Sequence, residues 1–182
     1  MQLPLALLLA ANLLSDRCYS ISQMPDTDPY AALAALGIEL PTPAPPGGNY
    51  TAARTLGNIV YLSGVISQAN GEILTGTAGL DASHEDARTL EQGYAAAQSC
   101  ALLQLAALQH HLGSLTRIKS ILSVNGYVQC APGFPDAPKI INGASDLFLN
   151  LFGEAGQHVR AAIGVAGLPR QALVELQMTA EI

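Results

Sequence analysis

Two segments alternate at period two, and that alternation limits the possible folds more than any other feature of the chain. In residues 117–129, Ile118, Ser120, Leu122, Val124 and Val128 share one face, and Ile121, Ser123, Asn125, Tyr127 and Gln129 share the other. In residues 172–180, Val174, Leu176 and Met178 oppose Glu175, Gln177 and Thr179. Successive strand side chains point to opposite faces, so these segments predict a sheet with one apolar face and one of mixed polarity.

The rest of the chain supplies cover for the apolar face. Ser83 with Asp86 resembles a helix cap, the acids Glu85, Asp86 and Glu91 suit a positive N-terminal end, and Gly113 follows the apolar stretch Ala95 to Leu112. A second helix is expected from Pro138 to Phe152, ending at Gly153. Tyr50 to Thr55 and Asn58 to Ile66 flank Leu56-Gly57 as an antiparallel hairpin, and strands 159–165 and 172–180 are joined around Leu168-Pro169. The order is β-β-α-β-α-β-β, an α+β fold. Two helices that bridge strands by right-handed crossovers cover one sheet face. The other suits a wet subunit interface, so a homo-oligomer with sites between subunits is expected.

Three stretches divide the chain. Leu3 to Leu14 is apolar with the length of a signal-peptide core, but no Lys or Arg precedes it and Arg17 follows it. Residues 1–23 are therefore expected to be a leader or to precede the natural start at Met24. Residues 24–48 carry a short helix over Asp28 to Gly37 and the linker PTPAPPGG, Pro41 to Gly48, which suits neither helix nor central strand. The main domain is expected over 49–182.

Composition narrows the partners. With 182 residues, 49% hydrophobic and 12% charged, the chain suits one well-buried domain. Its 8 Lys and Arg against 14 Asp and Glu, net −6, argue against nucleic acid, and the scattered basic residues argue against an anionic membrane surface. Soluble, cytoplasmic metabolism is expected. Cys18, Cys100 and Cys130 form neither a disulfide framework nor a zinc pattern and are taken as reduced thiols. His110 and His111 diverge by about 100° on a helix and do not chelate one ion, so no metal is expected.

Arg160 stands alone in the strand-like run His158 to Ala166. A desolvated guanidinium requires a partner, either a ligand or a structural carboxylate. Glu175 on an adjacent antiparallel strand is the structural alternative.

The runs YLSG (Tyr61 to Gly64), NGYVQCAPGFPDAPKIINGASDLF (Asn125 to Phe148) and FGEAGQHVRAAIGVAGLP (Phe152 to Pro169) resemble the RidA/YjgF family, in its endoribonuclease L-PSP/chorismate-mutase-like branch, over about residues 28–182. The resemblance implies a chorismate-mutase-like mixed sheet with two helices on one face, assembled as a homotrimer with clefts between subunits. It also implies hydrolysis of enamine and imine intermediates such as 2-aminoacrylate to 2-keto acids and ammonia, with no metal or organic cofactor. Carried over by motif, Arg160 holds the substrate carboxylate, Ser63 and Tyr50 line the cleft, and Asn142 joins them from the second helix. Ala162 stands where relatives often carry cysteine. Gln177 falls where deaminating members carry a glutamate, and an amide is no general base. Glu175, two residues away on the same face, is the candidate substitute. A noncatalytic carboxylate-metabolite binder is the competing expectation. Chorismate mutation lacks the several cations it needs, and ribonuclease action lacks a His pair and a basic groove.

Overall fold

The structure is a computed structural model that describes residues 28–43 and 45–182. The expectations for residues 1–23, Met24 and Cys18 lie outside the described residues.

Helix α1, Pro29–Ala35, begins at Asp28, whose side chain accepts from the Tyr30 backbone N–H, and the chain leaves it through Gly37 at φ 65°. Residues 41–43 and 45–48 form neither helix nor strand, as the prolines require. The hairpin follows as β1, Ala53–Leu56, and β2, Ile59–Leu62, turning at Gly57 with φ 62°.

The expected second run does not continue to Ile66 as one strand. It breaks at Ser63-Gly64 and resumes as β3, Val65–Ile66. Residues 67–88 then form two small pairs, unanticipated from the sequence: β4, Gln68–Ala69, with β5, Glu72–Ile73, and β6, Thr77–Ala78, with β7, Ala87–Arg88. Asn70-Gly71, at φ 52° and 81°, makes the β4–β5 turn. That dipeptide is a strong hairpin signal.

Helix α2, Leu90–Leu112, begins later than the sequence suggested. Its cap is Thr89, in a reciprocal capping box with Gln92, and Ser83 instead hydrogen-bonds to Asp81. Gly113, left-handed at φ 84°, closes the helix. Helix α3, Ala137–Phe152, ends at Gly153 as expected. The two helices touch closely at Gly143, where an added Cβ would strike the Tyr94 backbone. Together they cover one face of the sheet with a continuous apolar core that includes Leu105, Leu108, Ile140 and Phe148.

The main sheet runs β1-β2-β10-β8-β9, with β3 also paired to β10. Here β8 is Ser120–Gln129, β9 is Val159–Val165 and β10 is Val174–Glu181. The alternation of β10 holds, with Val174, Leu176 and Met178 buried beneath the helices. That of β8 does not hold throughout. The register slips so that Thr179 pairs with Ser123 and Ala180 with Ile121, which leaves Leu122 as an extra residue. The irregularity turns Ile121 to the buried side with Val124 and Val128.

Strand β9 lies parallel to β8 at the sheet edge and does not touch β10, which is flanked by β8 and β2. The structural alternative for Arg160, an ion pair with Glu175 on an adjacent antiparallel strand, is therefore excluded. Among the described residues no helix is long and apolar enough to cross a membrane.

Candidate functional site

Within one chain the candidate residues fall into two groups. The first surrounds the break between β2 and β3. A cavity of about 690 Å³ opens there, lined in part by Tyr50, Ser63, Gly64, Gln104, Arg170 and Glu175. The break interrupts the ladder against β10, and Gln104 of α2 repairs it. Its Nε2 donates to the Ser63 carbonyl at 2.9 Å and to the Leu176 carbonyl at 2.7 Å. Gln104 is fully buried, so the stretch that looked uniformly apolar contains a structural polar plug.

Ser63 Oγ donates to the Thr51 carbonyl at 2.7 Å, so its lone pairs remain to accept from a ligand N–H or O–H. Tyr50 Oη accepts from the Gly47 N–H at 3.1 Å, which folds the end of the linker over the cavity. Glu175 is half-buried, and burial alone holds its carboxyl above the usual carboxylate range. A carboxyl shifted in this way keeps a proton to higher pH and is suited to general acid-base work. Gln177 is exposed and does not line the cavity.

The second group lies on β9 and α3. Arg160 is exposed, and its Nη1 donates to Asn142 Oδ1 at 2.8 Å and to Ser145 Oγ at 3.0 Å. His158 Nδ1 lies 2.7 Å from the Gly156 carbonyl, which only accepts, so Nδ1 carries the hydrogen. Burial holds the His158 imidazole below its ordinary value, reinforced by the charge of Arg160. The neutral ring then presents Nε2 as acceptor for the Ser145 hydroxyl, 3.0 Å away. The result is a directed chain: Arg160 donates to Ser145, Ser145 to His158, and His158 to the backbone. The guanidinium is oriented by neutral acceptors, and its charge remains available. Ala162 packs against the core from β9 and is not at the cavity.

The two groups are well separated. Arg160 pairs with Val124 and Glu175 with Tyr127, on strands that flank β8. Two strand spacings across and three residues along give a backbone separation of about 14 Å. Their side chains also serve opposite faces: Arg160 reaches α3, whereas Glu175 alternates with buried Val174 and Leu176.

Sequence reasoning did not find Ser145, Gln104 or Arg170. Ser145 had a signal, since it lies three residues after Asn142 and so on the same helix face. Burial pushes the Cys100 thiol well above its usual value, which suits a buried apolar residue rather than a nucleophile. His111 bonds to Thr55 Oγ1 at 2.8 Å. Among the described residues no three His, Cys, Asp or Glu side chains converge on a metal-ligating position.

Residues 30–182 match the family described as "YjgF/chorismate_mutase-like, putative endoribonuclease". The chain is 38% identical over 154 residues to Protein TCP17 of Trypanosoma cruzi, covering 84% of this chain and 92% of that protein. It is similar to the crystal structure of Atu1372, a protein of unknown function from Agrobacterium tumefaciens, at TM-score 0.75 and 36% identity, covering 85% and 92% of the two chains. A "putative endoribonuclease" from Shewanella oneidensis MR-1 gives TM-score 0.78 and 34% identity, covering 85% of this chain and 99% of that one.

Proposed function

The chain belongs to the YjgF/chorismate mutase-like family, and on that premise we propose that it is a cytoplasmic hydrolytic deaminase of enamine and imine intermediates, yielding 2-keto acids and ammonia. The observation that carries this reading is Glu175: a half-buried carboxyl, raised by burial, in one cavity with the acceptor Ser63. Protonated Glu175 gives its proton to the enamine carbon, forming the iminium ion, the protonated imine. The resulting carboxylate takes a proton from water as that water attacks the C=N carbon. Proton transfer to nitrogen and closure of the C=O bond then expel ammonia. General acid-base help of this kind contributes roughly 10² to 10⁴ in rate, enough for a substrate that hydrolyses unaided.

The proposal includes a homotrimer in which Arg160 of one subunit enters the cavity of the next and holds the substrate carboxylate with its planar fork. Two features support it. Arg160 and Glu175 lie too far apart in one chain to grip one small acid. Among the described residues strand β9 is also an edge paired only to β8, with Val159 72% and Ile163 50% exposed, the kind of edge that proteins cover. The free thiols of Cys100 and Cys130 suit a reducing compartment.

An amino-acid oxidase that generates the imine, with semicarbazide as trap, tests the activity. Wild type is expected to remove imine faster than Glu175→Gln or Arg160→Ala. Equal rates for all three would leave a noncatalytic carboxylate binder.

A further inference from the structure

Arg170 belongs to no sequence-derived set, yet it lines the cavity of Glu175, Ser63 and Tyr50. It stands in the turn between β9 and β10 with φ 56° and ψ 25°, and Gln171 beside it has φ 58°. Left-handed backbone is disfavoured for any residue with a Cβ, and two in succession persist only where the surroundings impose them. They do so here. The Leu168 N–H donates to Gln129 Oε1 at 3.0 Å, and the Gly76 N–H donates to the Gln171 carbonyl at 3.3 Å.

Among the described residues the exposed Arg170 guanidinium makes no ion pair. Arg88 gives its N–H groups to the carbonyls of Thr75, Glu85 and Ala87, and Arg160 to Asn142 and Ser145. Among the described residues the one ion pair joins Lys139 to Asp136, so no carboxylate of those residues pairs with Arg170. Nor does Arg170 hold down the Glu175 carboxyl, whose shift is upward and due to burial. The cavity, at about 690 Å³, is within the range of sites that take ligands larger than a three-carbon acid.

We propose that Arg170 reads a second carboxylate, so that the favoured substrates are imines of acidic amino acids: 2-imino dicarboxylates. This rests on the deaminase reading, with Arg160 of a neighbouring subunit on the first carboxylate and Glu175 at the C=N group. Arg170 is a specificity-determining residue, with its charge-assisted fork at the distal end of the ligand.

Calorimetric binding of 2-oxoglutarate and 2-oxobutanoate to the full chain tests this, because the two keto acids differ at the distal carboxylate. Wild type is expected to favour 2-oxoglutarate by about tenfold or more, the scale of one hydrogen bond to a charged group. Arg170→Gln should erase that preference, and Arg170→Lys should keep part of it. Equal binding of both acids by wild type, or a preference that survives Arg170→Gln, overturns the assignment. Imine hydrolysis by the same proteins separates the two claims. Turnover that depends on Glu175 without an Arg170-dependent preference removes only the present inference. An Arg170-dependent preference without turnover removes the deaminase and leaves the dicarboxylate site.

Discussion

Gly64 lies so close to the carboxyl of Glu175 that an added Cβ would collide with the acid oxygen. The break between β2 and β3 thus creates the space into which the acid reaches. Gly64→Ala is expected to push the carboxyl aside while the fold survives, because the obstructing atom is the end of a flexible side chain. Imine hydrolysis should fall by about 10² with little change in melting temperature, since displacing a reacting group by about 1 Å has that effect.

Glu175 should also make stability depend on pH. Its folded-state carboxyl is raised above the ordinary 4.5, so the folded state binds the proton more tightly than the unfolded chain does. Its favourable contribution is fully present below the ordinary value and is lost as pH rises through the raised one. Glu175→Gln should therefore melt with wild type at acid pH and above it at neutral pH. Thermal melts across that range check the sign, and a gap that narrows with rising pH would contradict it. In wild type kcat/KM should decline as pH rises through the raised value, and the Gln variant should lack that limb.

Ser145 orients Arg160 without touching the proposed ligand. Ser145→Ala removes one acceptor of the guanidinium and the donor to His158. KM is expected to rise about threefold to tenfold with kcat nearly unchanged, the pattern of lost uniform binding at the scale of one hydrogen bond. Arg160→Gln should raise KM further. Steady-state kinetics on a defined imine separates the two parameters.

Gln104→Leu should destabilise the protein by roughly 1 to 3 kcal/mol, because the carbonyls of Ser63 and Leu176 lose their donor. Urea denaturation monitored by circular dichroism gives the value. A Leu variant as stable as wild type would show that the break is held by other contacts.

Much of this was legible in order along the chain. The limits of β9 and the end of α3 at Gly153 matched because apolar alternation and a terminal glycine are local signals. The start of α2 was misplaced because Ser83 and Thr89 both head acceptable capping patterns, and only packing against the sheet chooses between them. The small pairs in 67–88 were overlooked although Asn70-Gly71 announced one of them.

By itself the sequence determined the two long helices and the strands 53–62, 120–129, 159–165 and 174–181 in their order, the buried face of β10 and the family, since each is written in local periodicity or in contiguous motifs. Tertiary structure alone decided that β9 lies beside β8 and not β10, that Leu122 is an extra residue, and that Glu175 rather than Gln177 faces the cavity. It also brought Arg170 to the same cavity. The physical reason is that strand pairing and register are set by contacts between residues far apart in the chain, and a one-residue slip reverses the face that a side chain serves.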